Sequence, residues 1–230
     1  MKTGIISQKK HFTNIPHKGI LRCMKKILII LIITIFNTPT QSRPISYPGG
    51  WTIMQLNNSQ KNRIHIHYSP KVNYSLGVAF EKRSDNQRLN IQLNTLIYRH
   101  NTKYSQGNLY LKTQSGIMSD NQQKNINTII TIAGDWETRR YFTHYKFSSE
   151  YFPQYQSQIN QKIRLGIAPY VANYGAIHSW FMIQINSTFK NKKTHNYEIT
   201  PLIRLFKGTI LTEIGLSLNK KLMLNIVKRF

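Results

Sequence analysis

Cysteine, acid and long apolar runs are what this chain lacks. Its 230 residues include one cysteine, Cys23, so no disulfide can form within the chain and no cysteine cluster can hold a metal. Only 8 acidic residues stand against 32 lysines and arginines, a net charge of +24. Beyond residue 42 nothing approaches the ~18 consecutive apolar residues that a membrane helix needs, and no stretch keeps a helical period. These absences exclude a disulfide-stapled scaffold and a helical membrane protein. With 40% hydrophobic and 17% charged residues, the chain is not disordered by composition either. Its polarity comes largely from Asn, Gln, Ser and Thr, the uncharged mixture that suits a strand lying between lipid and water.

The basic excess first raises nucleic acid, because clustered cations release counterions from phosphates. Here the cations are scattered through the whole length, with no recognition helix, zinc finger or RNA-stacking signature beside them. No nucleic-acid partner is expected. The phosphorylated lipopolysaccharide of an outer leaflet, or an acidic solute inside a lumen, answers the charge equally well.

What is present begins with an export signal. Lys25 and Lys26 precede ten apolar residues, 27–36, and then a short polar stretch of small residues to Ser42. Ten residues make a helix of roughly 15 Å, half a bilayer core. Met24 is the expected start, residues 1–23 an upstream extension, 24–42 the signal helix and 43–230 the mature domain. Cleavage near Ser42 would remove seven basic residues and no acid, so that 32 becomes 25 and the net charge falls from +24 to +17.

The mature part alternates. Leu89, Ile91, Leu93, Thr95 and Ile97 share one face of a strand whose other face carries Arg88, Asn90, Gln92 and Asn94. The same period of two returns around Leu109, Ile163, Phe181 and Ile214, with small residues such as Gly166, Ala168, Gly215 and Ser217 on the second face. Turn signals separate twelve candidate strands: 50–57, 62–68, 74–82, 88–100, 106–118, 126–136, 138–151, 159–171, 176–188, 195–207, 209–218 and 221–230. The first two are the weakest, which leaves ten strands open. Most have the ~9–14 residues of a tilted membrane strand. Tyr141, Phe142, Tyr145, Phe147 and Tyr151 crowd one hairpin, and Tyr98, Tyr104, Tyr110, Tyr170 and Trp180 mark other strand ends, as aromatic girdles do. Leu222, Leu224, Ile226 and Phe230 form one face of the last strand, with Lys228 interrupting. This ending resembles the terminal strand of outer-membrane barrel proteins, which closes the barrel and carries the signal read by the insertion machinery. The pattern predicts an all-β, antiparallel, up-and-down transmembrane barrel, placed after export in the outer membrane of a Gram-negative cell, where hydrocarbon tolerates no unpaired strand edge.

Several stretches support this reading from another direction: Tyr47-Pro-Gly-Gly-Trp-Thr52, His65-Ile-His-Tyr-Ser-Pro70, Asp135-Trp-Glu-Thr-Arg-Arg-Tyr-Phe142, Arg164-Leu-Gly-Ile-Ala-Pro-Tyr170, Pro201-Leu-Ile-Arg-Leu-Phe-Lys-Gly208 and the Arg229-Phe230 ending. Together they resemble an uncharacterised proteobacterial family of small exported outer-membrane-type proteins, sometimes encoded beside heavy-metal efflux systems. The resemblance implies a barrel and carries no activity with it.

Arg88, Lys112, Arg140, Lys146, Arg164 and Arg204 fall on the polar faces of their strands and are the expected cations of a basic lumen, which selects anions as rings of Arg and Lys do in anion pores. His65 and His67, two apart, share a face and could bind copper, nickel or zinc, although two imidazoles are an incomplete site. Asp135 and Glu137 fall with Arg139 on one face if the strand runs on, an arrangement for ion pairing. For ester hydrolysis His144, His178 with Ser179, and His195 are available, but spacing singles out no combination. No cofactor motif is present. The expectation is a barrel that binds or passes an anionic solute; the alternatives are an outer-membrane lipid hydrolase and a soluble periplasmic β-protein that binds a metal or anion.

Overall fold

The computed structural model describes residues 47–230, apart from 59–60, 85, 121–122, 153–156, 174 and 191–193. The expected extension at 1–23, the signal at 24–42 and Cys23 lie outside the described residues.

Twelve antiparallel strands close on themselves. They are β1 (Gly50–Asn58), β2 (Lys61–Lys71), β3 (Tyr74–Arg83), β4 (Asn86–Asn101), β5 (Ser105–Asp120), β6 (Gln123–Thr138), β7 (Tyr141–Tyr151), β8 (Gln158–Ile167), β9 (His178–Lys190), β10 (Thr194–Lys207), β11 (Ile210–Leu216) and β12 (Leu222–Arg229). Each pairs with its sequence neighbour, and β1 meets β12 from Thr52↔Arg229 to Asn58↔Met223. Beyond that ladder the Phe230 amide donates to the Trp51 carbonyl at 2.9 Å, and the Trp51 amide donates back at 3.1 Å. Both weak runs at the start are therefore strands, and the barrel has twelve staves rather than ten.

The period-two pattern is turned inside out relative to a soluble protein. Ile91 is 70% exposed on the outer surface of β4, while Asn94 on its inner face is wholly buried. Leu89, Ile163, Leu165, Phe181, Ile183 and Ile214 also face outward and stay exposed, whereas Thr52, Ser75, Asn127 and Thr131 are buried inside. Apolar groups gain nothing by facing outward unless the medium there is itself apolar. That inversion makes this a transmembrane barrel and removes the soluble periplasmic alternative. Leu222, Leu224, Ile226 and Phe230 all lie on the outer surface, where the Lys228 ammonium sits 4.7 Å over the Phe230 ring. Trp51, Tyr68, Tyr98, Tyr104, Trp136, Tyr141 and Tyr170 are exposed near the rim that carries Gly50 and Phe230, and form an aromatic girdle there.

Local chemistry sets the strand ends. The Thr138 hydroxyl accepts the amides of Arg140 at 3.1 Å and Tyr141 at 2.8 Å, so the hairpin turns at Arg139–Arg140 and β7 begins three residues later than the pattern predicts. β8 stops at Ile167, just before Ala168 and Pro169, because proline has no amide to continue a ladder. Pro70 sits at the register shift between Tyr68 and Lys71, and Pro201 lies just outside the β10–β11 ladder, which ends at Leu202↔Gly215. Gly208 turns the β10–β11 hairpin with φ at +57°, a conformation that costs a residue with a Cβ about 1–2 kcal/mol.

Part of the interior is an apolar layer. The inward residues Phe142, Gly166, Met182, Leu202, Gly215 and Met223 follow one another across β7 to β12 in direct register. Large and small alternate for lack of room: a Cβ on Gly166 would come within 2.7 Å of Met182 Cε, and one on Gly215 within 2.8 Å of Leu202 Cβ. Phe142, expected at the membrane interface, belongs to this inner layer and is buried.

Candidate functional site

The inner wall separates its cations into two groups, those neutralised by carboxylates and those left without one. Part of the neutralised group follows one row across the barrel seam, where Arg204, Glu213, Asn225, Leu56, Arg63, Glu81 and Arg88 each stand opposite the next, and Lys61, Arg83, Arg164 and Glu150 reach it from neighbouring positions. Glu213, 4% exposed, is the centre of one cluster. It receives Arg164 Nη1 at 2.7 Å, Arg204 Nη2 at 2.8 Å and Asn225 Nδ2 at 2.8 Å. Arg164 also donates to Gln184, and the Arg204 guanidinium lies 4.5 Å over the Phe142 ring.

Glu81 and Glu150 are the centre of the other cluster. Arg83 Nε lies 2.6 Å from Glu81, with Arg63 at 3.6 Å, Arg88 at 3.8 Å and Lys61 at 3.9 Å around the same carboxylate. Arg88 bridges to Glu150 at 2.9 Å, Arg83 reaches it at 3.5 Å, and Asn160 Nδ2 donates to it at 2.9 Å. Charges taken out of water this far persist only when paired and hydrogen-bonded, and these are.

The other group lies on the wall made by β5 to β8. Lys146 and Lys162 are direct register partners, which places their Cα atoms about 4.5–5.5 Å apart. Lys112 is opposite Thr131, beside Ser148, one step along the strands, close enough to feel the charge of both. Among the described residues no carboxylate lies within 4.0 Å of any of these three ammonium groups. Their surroundings are hydroxyls and amides: Thr131 and Ser148 hydrogen-bond at 2.8 Å, and Asn160 and Asn186 occupy the next inward positions. Three ammonium groups in a confined, partly dry space repel one another, and an anion among them relieves that repulsion.

Of the six expected lumen cations, Arg88, Arg164 and Arg204 face inward but are committed to Glu150 and Glu213. Lys112 and Lys146 face inward and have no carboxylate. Arg140 does not belong to the lumen: it sits exposed in the β6–β7 turn, because the Thr138 turn interrupts the alternation that placed it there. The same turn removes Arg139 from the face of Asp135, whose carboxylate instead accepts Asn108 Nδ2 at 2.7 Å. Lys162 was missed, although it lies two residues before Arg164 and so on the same face. The anchoring acids Glu81, Glu150 and Glu213 were missed as well, since nothing local reveals which distant guanidinium they meet.

His65 and His67 do share the inner face, with ring centroids 5.6 Å apart. Among the described residues no third His, Cys, Asp or Glu joins them. His178 turns inward and Ser179 outward, so that pair cannot act together.

No protein-family model matches the sequence, and no curated protein matches it. Solved structures do. A KdgM porin in complex with disordered oligogalacturonate superposes with a TM-score of 0.50 at 10% identity, covering 79% of this chain and 98% of that one. A second KdgM porin structure gives a TM-score of 0.44 at 8% identity, covering 79% and 98%. The translocator domain of the autotransporter NalP from Neisseria meningitidis gives 0.37 at 8% identity, covering 93% and 97%. The fold is that of a porin-like transmembrane barrel.

Proposed function

We propose that this protein is a passive outer-membrane conduit that binds and passes anionic solutes along Lys112, Lys146 and Lys162. One observation carries the reading: three inward lysines have no carboxylate within 4.0 Å, while Arg63, Arg83, Arg88, Arg164 and Arg204 are held against Glu81, Glu150 and Glu213. Evolving a lumen with paired arginines is a way to build a scaffold; leaving lysines unpaired in it creates a site for something negative. Asn, Ser and Thr groups beside the lysines suit a hydroxylated acid, and the porin-like neighbour was solved with oligogalacturonate, an acidic sugar chain. Export across the inner membrane and insertion by the barrel-assembly machinery follow from the same reading, as does contact of the outer rim with lipopolysaccharide.

The test is reversal potential in planar bilayers under a salt gradient. The wild-type barrel should favour anions, and galacturonate oligomers should reduce its current. Lys112→Gln with Lys146→Gln and Lys162→Gln should abolish that preference. A cation-selective wild-type barrel, or a folded barrel that neither conducts nor binds the oligomers, would overturn the proposal.

A further inference from the structure

On the outside of the barrel, at the rim away from Gly50 and Phe230, a serine and a histidine meet. Ser187 Oγ and His195 Nε2 are 2.8 Å apart, a hydrogen bond across the β9–β10 hairpin. Both are outward positions: Ser187 stands opposite Tyr197, and His195 opposite Phe189. The imidazole is gripped by those two aromatic rings, with the Phe189 centroid at 3.8 Å and an interplanar angle of 18°, and the Tyr197 centroid also at 3.8 Å. Eight residues separate the partners in sequence, and only the hairpin register brings them together. This is the geometry that activates a serine, a hydroxyl held within hydrogen-bond reach of an imidazole whose own orientation is fixed by neighbours. Here stacking fixes the ring, where hydrolytic triads use a carboxylate.

We propose that Ser187 and His195 form an interfacial esterase site that cleaves long-chain acyl esters of membrane lipid. Its place selects the substrate. Ser187 is three residues from the end of β9 and His195 one residue into β10, so both lie at headgroup depth, where ester linkages are found. Exposed Ile159, Ile163, Ile185 and Ile199 face the same lipid on the strands around them and supply the surface along which acyl chains lie. Gln161 stands opposite Ser187 on β8, on the same outer face, and its amide is the donor the proposal assigns to the developing oxyanion.

The chemistry balances with water as the only co-reactant. The Ser187 hydroxyl attacks the ester carbonyl carbon while His195 Nε2 takes its proton; the carbon–oxygen bond to the leaving alcohol breaks, and His195 returns the proton to that oxygen. Water then attacks the acyl-serine, giving its proton to His195, which passes it to Ser187 as the fatty acid leaves.

The full-length barrel, folded in vesicles and verified by heat-modifiable mobility, should react with a fluorophosphonate probe at Ser187, mapped by mass spectrometry. Ser187→Ala should remove the label, and His195→Gln should slow labelling about 100-fold, while both variants keep the mobility shift. Fatty-acid release is then measured from phosphatidylglycerol–phosphatidylethanolamine vesicles and from vesicles containing lipopolysaccharide. Release that depends on Ser187 from either identifies the lipid source and supports the proposal. A folded wild-type barrel whose Ser187 takes no label, labelling indifferent to His195→Gln, or release from neither vesicle would overturn it. Because these residues face lipid and the lysines face the lumen, this result and the conductance result can fail separately.

Discussion

Single residues matter here according to the medium they face. Glu213 is buried among Arg164, Arg204 and Asn225. Glu213→Gln would leave two guanidinium groups in the wall without a counter-charge, and should cost about 3–5 kcal/mol in folding stability, read as a lowered urea midpoint in lipid vesicles. Lys112→Gln removes a charge that no carboxylate meets within 4.0 Å, and should move that midpoint far less than Glu213→Gln while weakening anion selectivity. On the outer face the sign of polarity reverses. Ile91→Lys puts an ammonium into hydrocarbon and should cost about 2–4 kcal/mol if the position lies at mid-bilayer. The sequence made the face of each of these residues legible, because parity along a strand is a local property. It did not reveal that Arg88, Arg164 and Arg204 are ion-paired while Lys112, Lys146 and Lys162 have no carboxylate within 4.0 Å. That division depends on where Glu81, Glu150 and Glu213 stand, and Glu213 is 49 residues from Arg164.

At the scale of elements, each strand is satisfied only by two neighbours. β12 pairs with both β1 and β11, so deleting residues 222–230 exposes two edges at once. Each unsatisfied amide in hydrocarbon costs several kcal/mol, and the truncated chain should not show a heat-dependent mobility shift in detergent. Tight spots between strands give a subtler prediction. A Cβ on Gly116 would come within 2.0 Å of the Leu89 carbonyl, so Gly116→Val must part β4 from β5 and should lower the refolding yield in vesicles. Strand existence was readable from alternation for ten of the runs; the short first pair stayed open, and the ladders of β1 with β12 and β2 decide it. Strand ends were less so, because a hydroxyl such as Thr138 or a proline such as Pro169 stops a ladder without disturbing the apolar pattern. That is why Arg140 seemed to face the lumen on paper and lies in a turn in the structure.

As a whole molecule, the barrel is an inverted container whose greasy surface is outside and whose ionic scaffold is inside. The barrel should fractionate with outer membranes and leave them only with detergent; recovery in the soluble periplasm would contradict the outward apolar face. The two proposed activities occupy different compartments of the same wall, an anion path inside and an ester site at the outer rim. One structure can hold both because adjacent strand positions point to opposite sides, so side chains a residue apart meet water and lipid independently.

The sequence by itself determined the class of solution: twelve alternating runs without helical period, most of them long enough to span a bilayer, have one stable arrangement in hydrocarbon, a closed sheet. It also determined which side chains look inward along most strands, though not at the β6–β7 turn, where Arg140 leaves the lumen and Phe142 enters it. Only the tertiary structure decided which of them meet, because register and closure juxtapose residues far apart in the chain. Glu213 finds Arg164, Glu150 finds Arg88 and His195 finds Ser187 through hydrogen-bonded ladders whose stagger no local pattern records.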